Sequence, residues 1–533
     1  MLHAILFLSG ASVLALELLA SRVMTPYFGV SLYIWTGILS ITLVALALGY
    51  WLGGRLAGSR NAPGNVARLA QTFSLMPAVG AFAIVAACLV YPYLFPGLAT
   101  RGLVAGAFAA CMVLLFVPLV AASAMNPLLV AVLLARGGDR AGDAGAGTVL
   151  FVSTLGSVAG VLVTAFGLIP NVSNFAALLA VALVLALLSL AMAIWPSAPL
   201  SSRRHLGIAA GCAALASALF LWQADAYVGG MWPAAQGGRT WRVEATFRSL
   251  FGTVKILRSE PEAGGSFRRI YFQDGLVQNT VGSDGRSLSY YTYALEALAR
   301  AYRPGMRSAL VLGLGAGMVP MRLAHQGTAV EVVEIDPASV AAANRFFGFD
   351  GARVAVHLAD ARAHLKRCER RYDVVVVDLF HGDGTPDYLV TRDFFRELKG
   401  CLGPGGIAVF NTFADLQQPD VYAHLLATLR TELQHIVLYR PDWPGLAHIN
   451  SFIVAAAEVL PEPRAVVLDY VPPQFANALD AMMMRPLALN RGLLDRGEIV
   501  TDARNRAAHD TARNQLSYRR GVVEALPPAF LVN

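Results

Sequence analysis

The first 222 residues read as a succession of long apolar runs broken by short polar or basic stretches. About 20 mainly apolar residues are needed for a helix to cross about 30 Å of hydrocarbon. Seven runs meet that length, at roughly 2–20, 30–54, 70–90, 103–124, 148–168, 175–195 and 206–222. Asn126-Pro127 predicts a short helix over 127–135 that extends or re-enters from the fourth run. The stretch LFVSTLGSVAGVLVTAFG (150–167) is rich in glycine and small residues, as in helices that pack closely in lipid. Beyond the seventh run the pattern changes. Apolar and polar positions alternate through 243–281, in FGTVKILRS and FRRIYFQDGLVQNTV, punctuated by Gly264, Gly265 and Gly275, which predicts a small hairpin domain. From residue 287 the pattern turns helical (YALEALARAY), and then strand-like runs alternate with helical ones: SALVLGLG, AVEVVEID, RVAVHLAD, YDVVVVDLF and GGIAVFNTF. Buried apolar strands separated by helices predict a parallel α/β sheet.

The fold class expected is therefore a multi-span α-helical membrane domain followed by an α/β domain. Its divisions are the helical domain (1–222), a linker with a small β subdomain (223–285), a Rossmann-like catalytic domain (286–460) and a C-terminal extension of it (461–533). Composition sharpens this split. Mean hydropathy is +0.54 and only 14% of residues are charged, against about a quarter in ordinary globular domains. This excludes a disordered chain and argues against an ordinary soluble enzyme. Of 42 basic and 35 acidic residues, 1–222 hold only nine arginines, three acids and no lysine. Within the spans Glu17 stands out, readable as an ion pair with Arg22 or Arg55, or as a proton or cation site. The formal charge of +7 comes without any basic stretch interleaved with aromatics, so nucleic acid is not an expected partner. The five cysteines show no CxxC and no His/Cys cluster, so neither a disulfide framework nor a metal site is signalled.

Arginine placement bears on orientation. Arg55, Arg60 and Arg68, then Arg136 and Arg140, then Arg203 and Arg204 follow the second, fourth and sixth runs, whereas the opposite loops hold only Arg22 and Arg101. The positive-inside rule then puts the soluble domain outside the cell membrane. A soluble domain that draws on cytoplasmic nucleoside metabolites would instead face the cytoplasm. The sequence leaves the side open.

Candidate chemistry lies along the carboxyl ends of the expected parallel strands, where open α/β sheets bind ligands. ALVLGLGAG (309–317) ends in a glycine turn with Gly313, Gly315 and Gly317, whose backbone can approach a phosphate or nucleoside at a helix N-terminus. The second strand ends in Glu334, placed to accept hydrogen bonds from ribose hydroxyls. The third ends in Asp360-Ala361, where a carboxylate can take an adenine amino group, and the fourth ends in Asp378. A single acid at a strand end can simply cap the next helix, as expected of Asp336 before Pro337. Three acids beside a glycine turn favour a nucleoside site.

Taken in order, QDGLVQ (273–278), Tyr290-Tyr291, GLGAG, VVEID, ADA and VVVVD resemble the spermidine synthases, or polyamine aminopropyltransferases, over about residues 245–455. LALELLASRV and LGYWLGGRLAG are similar to the membrane-fused subgroup of that family. The resemblance implies a small β domain before a methyltransferase-like Rossmann domain. It implies that Gln278, Tyr290 and Tyr291 help enclose the aminopropyl donor and the amine. Glu334 would bind the ribose, Asp360 the adenine, and Asp378 would accept or orient the proton of the attacking amine. The implied co-substrate is decarboxylated S-adenosylmethionine, with methylthioadenosine as product and no metal. The implied partners are putrescine or another small polyamine and the lipid bilayer, with room for a homo-oligomer. Ala316 departs from this pattern, standing where the family carries an Asp that holds the donor amine. So does His381, which takes the place of a second acid, with Asp383 two residues on as a substrate-ammonium or turn-capping residue. Two other readings stand beside the first: an S-adenosylmethionine-dependent methyltransferase, and a polyamine or cation transporter with a nucleoside-sensing domain.

Overall fold

In the computed structural model seven helices among the described residues are long and apolar enough to cross a membrane. They are Leu2–Phe28, Tyr33–Gly58, Val66–Arg101, Val104–Ala135, Gly145–Leu168, Asn174–Ile194 and Arg203–Trp222. The structure describes residues 2–30, 32–58, 66–137, 143–195, 200–230, 235–380, 386–415, 419–443, 448–487, 491–505, 519 and 521–533. Each expected run is a helix. Pro127 starts no separate element; it lies within the helix Val117–Gly137, which follows a π-helical turn at Met112–Phe116. The small residues have the packing role their pattern suggests. A Cβ at Gly156 or Gly160 would run into the backbone of Phe7 or Ala11, so the first and fifth spans approach to backbone contact. Ser157 Oγ donates to the Gly10 carbonyl at 2.9 Å across the same seam. Leu43, Phe151, Phe166 and Leu215 are exposed on the surfaces of their helices, large apolar side chains of the kind that mark a protein or membrane contact. Glu17 meets Thr42 of the second span.

The chain divides into two compact units, one formed by residues up to Pro233 together with Val523–Asn533 and the other by Ala234–Val522. Two boundaries thus differ from the expected ones. The helical unit continues past residue 222 because the helix Ala224–Gly230 turns Tyr227 back onto Phe220 and Phe175, at ring-centroid distances of 5.7 and 5.9 Å. The chain end, expected to extend the catalytic domain, returns to the helical unit, where the Phe175 N–H donates to the Asn533 carbonyl at 2.9 Å.

The soluble unit begins with an antiparallel meander of five strands in sequence order: β1 (Ala235–Gln236), β2 (Arg239–Ser249), β3 (Gly252–Pro261), β4 (Arg268–Gln273) and β5 (Leu276–Gly282). Asp274 and Gly275 form the β4–β5 turn with φ of 46° and 88°, the doubly left-handed backbone that two-residue hairpins require. The Asp274 side chain stabilises the turn by accepting from the Thr253 N–H at 3.0 Å.

The second sheet contains β6 (Ser308–Leu312), β7 (Ala329–Glu334), β8 (Ala355–Leu358), β9 (Tyr372–Val377), β10 (Leu402–Asp415), β11 (His435–Tyr439) and β12 (His448–Ala456). Its order is β11-β12-β10-β9-β6-β7-β8. The five central and edge strands from β10 to β8 are parallel, while β12 runs antiparallel to both neighbours. Apolar residues fill β6, β9 and β10 on both faces, Ala309, Val311, Val374 and Ile407 on one and Leu310, Leu312, Val375 and Ala408 on the other, so helices cover the sheet on each side in two apolar cores. The meander packs against this layer through Val254, Ile256 and Tyr271, which meet Ala316, Ala338 and Ala342.

One feature runs against the sequence reading. Cys368 and Cys401 form a disulfide with Cα atoms 5.7 Å apart, although their spacing carried no signal. They meet because the helix Arg392–Cys401 packs its end beside the turn that follows the helix Ala361–Lys366.

Candidate active site

Strand order reverses between β6 and β9, and the glycine turn meets Asp378 at that point. Gly313 leaves β6 with φ of 93°, and a Cβ there would clash with the Asp378 carbonyl oxygen. Gly317, with φ of 75°, caps the helix Met318–His325 and lies against the Phe349 ring. Gly315 also has a left-handed backbone, at 54°, but open space lies before it. The turn is thus pinned at both ends and open in the middle.

Glu334 ends β7 and is buried. Its Oε2 accepts from the Leu314 N–H at 2.9 Å and its Oε1 from the Asp336 N–H at 2.8 Å. The carboxylate therefore ties the glycine turn to the next strand, while its remaining lone pairs can accept from a diol. Burial holds its pKa above the ordinary carboxylate value, against the pull of the backbone donors. Asp336 caps the helix Pro337–Phe346, accepting from the Ala338 N–H at 2.8 Å. Asp360 has a double engagement: Oδ1 caps the helix Ala361–Lys366 through the Ala363 N–H, and Oδ2 accepts from the Tyr388 hydroxyl, both at 2.8 Å. Ala361 is buried behind it.

Asp378 follows β9 directly and is half-buried, with closely packed protein around its carboxyl group. Its Oδ1 accepts from Asn411 Nδ2 at 2.8 Å, and Asn411 Oδ1 in turn accepts from Asn450 Nδ2 at 2.8 Å. This chain of amides runs from β12 through β10 to the carboxylate. Burial pushes the Asp378 pKa up to about 6, while the Asn411 hydrogen bond opposes the rise. Near neutrality the group is an anion poised to take a proton. Neither asparagine is singled out by the sequence motifs. Their signal is a lone amide in an otherwise apolar strand, as in GGIAVFNTF, and its meaning appears only when two such strands are paired.

The other expected residues separate. Tyr291 donates to the Gln278 carbonyl at 3.2 Å and accepts from Asn279 Nδ2 at 3.1 Å, so Gln278 and Tyr291 stand together where β5 meets the helix Tyr291–Tyr302. Tyr290 points away, into an aromatic cluster with Trp443 and Phe475, and its hydroxyl donates to the Ala478 carbonyl at 3.3 Å. Ala316 is 2% exposed and packs in the apolar contact between the two sheets. Asp383 and His381 lie outside the described residues.

Counting from β6, the strand order with its antiparallel seventh strand and glycine turn defines a Rossmann-like α/β unit of the methyltransferase type, preceded by a small antiparallel sheet. Residues 288–440 match the sequence family described as the spermine/spermidine synthase domain, which bears out the resemblance read from the motifs. The chain is similar to a polyamine aminopropyltransferase from Vibrio vulnificus, with 32% identity over 208 residues, 38% of this chain and 65% of the relative. A second polyamine aminopropyltransferase, from Nitrosomonas europaea, is 31% identical over 152 residues, 26% of this chain and 47% of the relative. The chain thus spans less than two thirds of the length of each. Among solved structures, a spermidine synthase from Thermotoga maritima is 16% identical, covering 48% of this chain and 87% of that one, with a TM-score of 0.37.

Proposed function

We propose that the chain is a membrane-anchored polyamine aminopropyltransferase. It moves the aminopropyl group of decarboxylated S-adenosylmethionine to putrescine or a related amine and releases methylthioadenosine. The observation that carries this reading is Asp378, half-buried at the switch point and oriented by Asn411 beside the glycine turn. An alkylamine is mostly protonated near neutrality, with a pKa of about 10.4 like that of lysine. Attack requires the neutral amine, and a carboxylate with a pKa near 6 can accept or hold its proton. The amine lone pair forms the new C–N bond while the C–S bond breaks, and its electron pair neutralises the sulfonium. The leaving group is already activated, so positioning and proton removal are what the protein has to supply.

Glu334 is the group for the ribose diol and Asp360 the group at the adenine. Gln278 and Tyr291 close the cleft from the meander side. The seven apolar helices serve as the bilayer anchor.

Ala316 favours a second reading, methyl transfer from S-adenosylmethionine. A donor that keeps its carboxylate neutralises its own ammonium and needs no acid at residue 316. The deciding experiment incubates the purified full-length protein with each sulfonium donor and putrescine, and identifies products by mass spectrometry. Spermidine with methylthioadenosine supports the first reading. Methylated amine formed from intact S-adenosylmethionine overturns it in favour of the second, and no product from either donor overturns both.

A further inference from the structure

The arginines, the chain path and one covalent bond converge on the side of the membrane that the soluble unit occupies. Within the membrane unit, the span Asn174–Ile194 serves as a ruler: its 21 residues measure about 30 Å, one hydrocarbon thickness. Arg203, which opens the last span beside Arg204, donates to the Ala193 carbonyl at 3.2 Å, at one end of that ruler. At the other end Tyr227 stacks on Phe175 as the chain leaves the last span, and the Asn533 carbonyl accepts from the Phe175 N–H as the chain returns. Exit and re-entry therefore share one face of the membrane unit, a full span away from Arg203 and Arg204. Arg55 in the last turn of the second span adds to the arginine-bearing side. Arginine-rich short loops remain in the cytoplasm.

An observation unrelated to charge agrees. Cys368 and Cys401 are the only cysteines of the soluble unit, and they are bonded to each other, whereas Cys88, Cys111 and Cys212 of the membrane unit are free. Disulfides persist in oxidising compartments and are kept reduced in the cytosol. We infer that the soluble unit faces an oxidising, non-cytoplasmic compartment and matures there by formation of the Cys368–Cys401 bond. The oxidant is another protein's disulfide. One cysteine thiolate attacks it to form a mixed disulfide, and the second thiolate displaces the oxidant's sulfur. The two electrons and two protons end on the oxidant's two thiols. If the proposed transfer reaction occurs on this side, its sulfonium co-substrate must first be carried across the bilayer, so the step that supplies it is membrane transport of a cationic nucleoside.

The test reads topology and thiol state, not activity, so its failure is distinguishable from failure of the proposed reaction. In a Cys212→Ala background, Ser266→Cys is placed on the exposed β3–β4 loop and Ser201→Cys on the exposed approach to the last span. Cells stripped of any outer barrier are treated with a membrane-impermeant maleimide before and after lysis. Ser266→Cys is expected to be labelled in intact cells and Ser201→Cys only after lysis. In parent protein acid-quenched in the cell, Cys368 and Cys401 should resist a mass-tagged maleimide until a reductant is added. Protection of Ser266→Cys until lysis, labelling of Ser201→Cys in intact cells, or free thiols at Cys368 and Cys401 in quenched cells would each overturn the inference.

Discussion

The two carboxylates proposed for the site, Glu334 and Asp378, are held by different kinds of structure. On the glycine-turn side, Glu334 is fixed by main-chain donors from Leu314 and Asp336. On the opposite side, Asp378 rests on a side-chain amide, which rests on another. Main-chain donors are positioned by the sheet itself, so the Glu334 side cannot be altered without disturbing the fold. The Asp378 side can be dismantled link by link. Under the proposed reaction, nucleoside binding is therefore entangled with stability, and the chemical step is separable from it.

The largest expected effect tests that separation directly. Asp378→Asn keeps the shape but cannot take a proton, so kcat should fall by about 10²- to 10⁴-fold, the usual worth of a general base. Calorimetry with methylthioadenosine should show binding unchanged, and full activity in this variant would remove Asp378 from the mechanism. Glu334→Ala should instead weaken methylthioadenosine binding by about 1.5–3 kcal/mol, the range for hydrogen bonds to a charged group. It should also lower the melting temperature, because two main-chain N–H groups lose their acceptor. Weaker binding at unchanged stability would break the contrast between the two sides.

The third effect is a displacement in pH. Asp378 works as a base only when ionised, so activity should rise as pH climbs through about 6 and then level off. Asn411 stabilises the ionised form. Asn411→Leu should therefore push the pKa further up and move the acid limb upward by roughly one pH unit, leaving the plateau rate close to the parent's. A limb that stays in place would show that Asn411 does not tune the carboxylate. Asn450→Ala should have the smallest effect, a shift of the acid limb in the same direction as that of Asn411→Leu but smaller, because it only frees Asn411 to turn. A shift as large as that of Asn411→Leu would mean that the amide chain acts as one unit.

The glycine turn, Glu334, Asp360 and Asp378 were legible because each sits at the end of an apolar run, and period and punctuation alone place a strand end. Asp336 as a cap was legible for the same reason, since Asp-Pro states its own local geometry. The amides were not. Asn411 acquires its role from Asp378 and Asn450, 33 and 39 residues away, through a parallel and an antiparallel pairing that no local pattern encodes. Cys368 and Cys401 were hidden by the same kind of distance. Tyr290 illustrates the reverse error of proximity: adjacent to Tyr291 in sequence, it begins a helix, and helical geometry turns it onto Trp443 and Phe475 while its neighbour faces Gln278. In the helical unit the seven long apolar helices were plain from length and hydropathy, but Pro127 misled because a proline inside a long apolar helix can be tolerated by its packing neighbours.

The contact between Gly313 and the Asp378 carbonyl has a consequence for how such a protein can change over generations. Any side chain at 313 drives the turn into the Asp378 carbonyl, so that codon is closed to drift, and with it the spacing between the glycine turn and Asp378. Gly315 is constrained only by its left-handed backbone, which asparagine or aspartate can adopt, and nothing crowds the space ahead of it. Heritable variation that trades one donor for another thus has an open door at 315 and a locked one at 313. A library randomised at both positions should return glycine alone at 313, and glycine, asparagine and aspartate at 315.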